Sequence, residues 1–94
     1  MEAITFNLPQ SLDISVVNDT QKMMLEQLHS IQEISQVNID AGELSRIDTA
    51  GLQLLTALII DINRQSIDFS WQNVNDELRE CASRLGLNHL LKLN

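Results

Sequence analysis

The feature that most restricts the fold of this chain is the alternation of two kinds of apolar spacing. Three segments have apolar residues at every second position, which is the spacing of half-buried strands. The first is Ile4, Phe6 and Leu8, and it is ended by Pro9. The other two are Val37, Ile39 and Ala41, and then Ile67, Phe69 and Trp71, with Val74 three positions further on.

Each predicted strand is followed by a segment with helical apolar spacing. Residues 15–32 are rich in helix formers, and their stripe comprises Val17, Met23, Met24, Leu25, Leu28 and Ile31. Residues 50–62 have a broader stripe of Leu52, Leu54, Leu55, Leu58, Ile59, Ile60 and Ile62. The last helix begins after Asn75, a suitable N-cap, and its predicted buried stripe is Leu78, Cys81, Ala82 and Leu85. Gly86 is the expected C-cap, and residues 87–93 form a short apolar turn that packs back on the domain.

This order predicts an α/β fold with a small, mostly parallel sheet and crossover helices. The 94 residues suit one domain over positions 1–94. Without an internal repeat or a linker, any functional site is expected on the loops or faces of this domain.

Composition excludes several functions. Six basic and thirteen acidic residues give a formal net charge of −7, which repels phosphate backbones and anionic membranes, so we expect no nucleic-acid partner. No apolar run reaches the roughly 18 residues of a membrane span, and the amino terminus does not resemble a signal peptide. We therefore expect a protein of the cytoplasm that is not embedded in a membrane.

Catalytic chemistry has little support. The three glycines form no phosphate-binding loop, and Cys81 is a lone cysteine expected in the core. His29 and His89 belong to no Ser/His/Asp or Cys/His constellation, so surface histidines are favoured over a phosphocarrier or small transferase. With no cluster at metal-ligand spacing, we predict neither a catalytic residue nor a metal nor a cofactor.

The most informative segment is Leu44-Ser45-Arg46-Ile47-Asp48-Thr49-Ala50-Gly51-Leu52, where a loop runs into a strongly apolar helix. In one interpretation Asp48 or Thr49 caps the free N–H groups of the helix, and Gly51 permits close packing. In the other, the Thr49 hydroxyl is exposed, and a phosphate on it switches a binding surface because Asp48 repels the added charge. The residues alone leave both interpretations open.

The same segment resembles the STAS domain, which is shared by anti-sigma factor antagonists and sulfate transporter tails. The likeness lies in Val37-Asn38-Ile39-Asp40 followed by Asp48-Thr49-Ala50-Gly51-Leu52. It extends to Ser11-Leu12-Asp13, which resembles the turn before the first helix of the family, and to Asn75-Asp76-Glu77-Leu78 with Leu85-Gly86-Leu87 and Leu90-Leu91.

The resemblance implies a non-catalytic bacterial module for signal transduction through protein–protein interaction. In the anti-sigma antagonist branch, a partner kinase phosphorylates a Ser after the motif Asp, and that position is Thr49 here. The implied phosphoacceptor is Thr49, and the implied partner-binding residues are Asp48, Thr49, Ala50, Gly51 and Leu52. The expected partners are a switch-type serine/threonine kinase or an anti-sigma factor.

Two departures from the family pattern matter. Thr replaces the commoner Ser, as it does in the similar STAS subunit of Mla-type phospholipid ABC transporters, which docks an ATPase. An accessory subunit bound to an ABC ATPase is therefore the alternative function. The amino terminus is also shortened relative to many members, without the strand that precedes their first strand, so an exposed sheet edge is expected.

Overall fold

The computed structural model describes residues 2–30 and 33–93 as an α/β domain with eight elements. The strands are β1 Glu2–Asn7, β2 Ser11–Leu12, β3 Ile34–Asp40, β4 Arg46–Ile47 and β5 Asp68–Gln72. The helices are α1 Val17–Ser30, α2 Thr49–Arg64 and α3 Asp76–Arg84. The predicted class, a small parallel sheet with crossover helices, is confirmed.

The main sheet has the order β1-β3-β5, and both pairings are parallel. Its in-register rows place apolar side chains on one face, where the helices pack. These rows are Ile4, Val37 and Phe69, and then Phe6, Ile39 and Trp71. Period-two spacing found the three strands because only this face is buried.

The opposite face of the main sheet is polar, although parallel sheets are usually covered on both sides. Its side chains hydrogen-bond to one another across β3 and β5. The Gln36 amide donates to Asn38 Oδ1 at 3.1 Å and to Ser70 Oγ at 3.1 Å, and Ser70 Oγ donates to Asn38 Oδ1 at 2.9 Å. The side chains of Gln36, Asn38 and Ser70 thus satisfy part of one another's hydrogen-bonding capacity.

Helix α2 supplies much of the core. Its buried residues are Gly51, Leu52, Leu54, Leu55, Leu58, Ile59 and Ile62. The predicted stripe is correct except at Ile60, which is 39% exposed. In α1, Met24 and Leu28 are buried as predicted, but Met23 is 48% exposed, so α1 buries a narrower stripe than we assigned. The predicted end of α1, including Ile31, lies outside the described residues.

A second parallel sheet, β2–β4, was not predicted. Ser11 pairs with Arg46 and Leu12 pairs with Ile47, in segments that we expected to be a turn and a loop. Two-residue strands show no periodicity in the sequence, so the prediction failed there. The N–H groups of Ser45 and Arg46 both donate to the Gln10 carbonyl, at 2.8 and 3.1 Å, and extend the contact between the two segments.

The carboxyl-terminal part agrees with the sequence in most respects. Asn75 caps α3 by accepting from the Leu78 N–H at 3.0 Å. The C-cap itself is Leu85, and Gly86 follows it at φ +69°, a conformation that favours glycine. The turn after it buries Leu91 and Leu93, and Trp71 Nε1 donates to the Leu91 carbonyl at 2.7 Å.

We predict that Leu55→Ala lowers the free energy of unfolding by about 2 to 5 kcal/mol, since Leu55 is fully buried and the change leaves a cavity. Chemical denaturation measures the loss. Gln53→Ala, at an exposed position of the same helix, is the control and should change stability by less than about 0.5 kcal/mol. Equal stabilities for the two variants would contradict the assigned helix face.

Candidate functional site

The Asp48 side chain connects two segments that are distant in the sequence. It is the N-cap of α2, and its Oδ1 accepts from the Gly51 N–H at 3.0 Å. Its Oδ2 accepts from the Ile14 N–H, in the loop after β2, at 3.2 Å. The capping interpretation is thus correct for Asp48, which also holds the loop of residues 13–15 beside the start of α2.

Gly51 lies directly against the backbone of β2. A Cβ at this position would be 2.1 Å from the Leu12 carbonyl oxygen and 3.0 Å from Ile47 Cγ1. The same carbonyl accepts the Asp48 N–H at 3.3 Å. The first turn of α2 therefore packs on β2 at a distance that only glycine permits.

The residues of the Asp-Thr-Ala-Gly-Leu motif differ in exposure. Thr49, the first residue of α2, is exposed, and Asp48 and Ala50 are half-buried. Gly51 and Leu52 are buried, and they hold the motif in place from below. Of the five predicted partner-binding residues, Thr49 is the one whose side chain is open to a partner.

Two shallow grooves meet at Asp48. One is lined by Ile47, Asp48, Thr49, Cys81, Arg84 and Leu85. The other is lined by Asp13, Ile14, Ser15, Arg46, Ile47 and Asp48. We call the combined area the Thr49 surface, defined by Ile14, Ile47, Thr49, Leu85 and the two arginines Arg46 and Arg84.

The Thr49 surface exposes apolar side chains that the sequence analysis missed or misplaced. Ile14 is 73% exposed, and no periodicity in the sequence singles it out. Leu85 was predicted in the buried stripe of α3 but is 45% exposed, because α3 ends at Arg84 and Leu85 is its C-cap. Large exposed apolar side chains beside a polar motif are typical of protein-binding surfaces.

The acidic groups of this surface are hydrogen-bonded within the domain. Asp13 accepts from both the hydroxyl and the N–H of Ser15, and these bonds, the hydroxyl first, lower the pKa of Asp13. Arg46 lowers it further through its charge. The loop that presents Ile14 is therefore held by Asp13 from within and by Asp48 from across the site.

The other residues considered for chemistry lie apart from one another. Cys81 is buried, and burial raises the pKa of its thiol, which disfavours the reactive thiolate. His29 is exposed and contacts Asp61 Oδ2 at 3.3 Å, and His89 is exposed near the carboxyl end. Within residues 2–30 and 33–93, no group of three His, Cys, Asp or Glu side chains has the arrangement of a metal site.

A second polar cluster lies at the carboxyl end of the main sheet. Asp40 Oδ1 accepts from the Gly42 N–H at 2.8 Å and from the Asn73 amide at 3.0 Å. These bonds, Asn73 first, lower the pKa of Asp40. The cluster shapes the turns after β3 and β5.

Comparison with known proteins places these features in a family. The family model described as "Mlab, STAS domain" matches residues 2–92. Among solved structures, the chain is similar to a sulfate transporter family protein from Wolinella succinogenes, with a TM-score of 0.78 and 16% identity over 95% of this chain and 70% of the other. This structural likeness supports the fold. A search of curated proteins gave no match. The helices in the described part of the chain are all too short or too polar to cross a membrane.

We predict that Gly51→Ala destabilises the domain by about 1 to 3 kcal/mol, although the helix propensity of alanine is about 1 kcal/mol more favourable than that of glycine. The new methyl group meets the backbone of β2, which cannot rotate away as a side chain does. Thermal or urea unfolding measures the loss. Asn63→Ala, at an exposed position of α2, is the control, and a Gly51→Ala protein as stable as the control would show that the contact is loose.

We predict that Asp48→Ala costs about 0.5 to 2 kcal/mol, since it removes the N-cap. It also releases the Ile14 N–H, so the amide of Ile14 should exchange with solvent faster than in the wild type. Hydrogen exchange followed by NMR resolves this local effect from the global loss. Unchanged exchange at Ile14 would mean that the loop is held without Asp48.

Proposed function

Because the chain belongs to the STAS domain family and is a STAS-type protein-interaction module, we propose that it binds its partner through the Thr49 surface and that a charge on Thr49 controls this binding. The observation that carries the proposal is that Thr49 is exposed in one groove with the exposed Leu85, next to the groove that contains the exposed Ile14. The role is that of a regulator, similar to an anti-sigma factor antagonist.

The Thr49 surface is held in place by contacts within the domain. Asp48 joins the Ile14 loop to α2, and the β2–β4 pairing holds both segments from below. Residues fixed before binding lose little conformational entropy on association, so their contacts contribute more of their energy to affinity. A partner therefore meets a preformed shape.

A negative charge on Thr49 affects the free and the bound protein differently. In the free domain, the start of a helix tolerates it, since the helix dipole favours negative charge there. In an interface fitted to a neutral hydroxyl, the same charge loses its solvation and repels acidic groups, including the adjacent Asp48. Phosphorylation of Thr49 by a switch-type serine/threonine kinase would thus release a partner such as an anti-sigma factor while the domain stays folded. A protein that acts on such partners works in the cytoplasm, and this location is part of the proposal.

The second candidate function is an accessory subunit that docks the ATPase of a phospholipid-type ABC transporter. Two observations favour it: the matching family model is described as "Mlab, STAS domain", and Thr occupies the phosphoacceptor position, as in that subunit. This function uses the same surface, but it requires constitutive binding and no kinase. Both candidates are non-catalytic and require neither metal nor cofactor.

We predict that Thr49→Ala and Thr49→Glu both fold, with a stability change of at most about 1 to 2 kcal/mol. The Ala variant should keep partner binding, and the Glu variant should lose most of it, because only Glu adds a charge to the interface. The partner is first identified by affinity capture with mass spectrometry, and its Kd is then measured by calorimetry. Gln27→Glu adds the same charge at an exposed position of α1 and should bind like the wild type.

The same experiment separates the candidate functions. Capture of a kinase or an anti-sigma factor, with phosphopeptides that contain Thr49, supports the regulator. Capture of an ABC ATPase without modified Thr49 supports the accessory subunit. Equal Kd values for folded wild type, Ala and Glu proteins would eliminate Thr49 as a charge-sensitive switch.

A further inference from the structure

We propose that Arg84 selects the partner, and that the partner segment seated on the Thr49 surface is acidic, with a carboxylate that pairs with Arg84 beside an apolar side chain that covers Leu85. This inference rests on the proposed function, because it concerns the same surface. It adds the chemistry that the partner must present.

The first argument is that two arginines of this acidic chain lie on this surface. The chain has six basic and thirteen acidic residues, yet two of the basic residues, Arg46 and Arg84, line the two grooves beside Thr49. The carboxylates in those grooves are engaged within the domain. Asp48 accepts N–H groups with both oxygens, and Asp13 accepts from Ser15 next to Arg46.

The second argument is that Arg84 is exposed and has no carboxylate partner among the described residues. It is exposed at the end of α3, and its Nε donates to the Glu80 carbonyl over a long 3.4 Å. In the described part of the chain, no carboxylate lies within ion-pair distance of its guanidinium. Among the same residues Arg46 has no ion pair either, but its charge lowers the pKa of a nearby carboxylate, that of Asp13. The N–H groups of the Arg84 guanidinium are therefore left as charged donors for a partner.

The chemistry of the occupant follows from this charge and from its apolar neighbours. A guanidinium binds a carboxylate through two parallel hydrogen bonds, and such pairs gain strength where apolar contacts exclude water. Leu85 and Ile47 supply those contacts in the same groove. Arginine is also one of the residues that are enriched at interface hot spots. An acidic protein segment with an apolar side chain complements all of these groups.

Arg84 also explains how a charge at position 49 would act. Thr49 and Arg84 line one groove, so a phosphate or a Glu side chain at position 49 competes with the partner carboxylate for the guanidinium. The effects of Thr49→Glu and Arg84→Gln on binding should then be less than additive, since both remove the same pair.

The test selects partner segments and then removes the charge. The wild-type protein is used as bait against a display library of fragments from the genome that encodes it. The Kd of each selected segment is measured for the wild type, Arg84→Gln and Arg84→Glu. We expect Arg84→Gln to weaken binding about tenfold and Arg84→Glu more strongly. Arg64→Gln and Arg64→Glu, at the exposed end of α2, are matched controls and should leave the Kd within about twofold.

A charge swap completes the experiment. Changing the acidic residue of the segment to Lys should abolish binding to the wild type and restore it with Arg84→Glu. Recovery of no segment, or of segments whose Kd is unchanged by Arg84→Glu, overturns the inference. Loss of binding with Thr49→Glu but not with Arg84→Glu would retain the proposed function and reject the role of Arg84. The reverse result would retain Arg84 and reject the switch.

Discussion

The two hydrogen bonds of the Asp48 carboxylate hold together the part of the molecule that carries the proposed binding surface. One oxygen caps α2, and the other holds the loop that follows β2. The close approach of Gly51 to the Leu12 carbonyl brings the two segments near enough for this to happen. The positions of Thr49 and Ile14 depend on Asp48, because Thr49 follows it in the chain and the Ile14 N–H donates to its carboxylate.

The main features of the fold could be predicted from the sequence because they depend on burial on one face. The period-two rows of β1, β3 and β5 and the stripe of α2 repeat often enough to reveal their elements. The β2–β4 sheet could not be predicted, since two-residue strands are defined by pairing partners and not by their own pattern. The exposure of Met23 and Ile60 could not be predicted either, because it depends on which other elements pack against these residues.

The candidate site was predicted in part for a similar reason. Asp48 and Thr49 stand next to each other in the sequence, and their residue types suggest a helix start. Ile14 and Leu85 reach the same surface from other elements, so only the tertiary structure brings them to Thr49. The sequence does not single out Arg84 either, because only the structure shows whether a carboxylate of the domain lies close enough to pair with it.

The long sequence separation across the Asp48 contact has a consequence for folding. Ile14 and Asp48 are 34 positions apart, and β2 and β4 pair across the same interval. Closing such a loop costs conformational entropy before its contacts contribute any stability, so contacts of this kind form more slowly than local ones. A partly folded chain therefore presents an incomplete Thr49 surface, and under the proposed function a partner that needs Ile14 and Thr49 together would recognise only folded molecules.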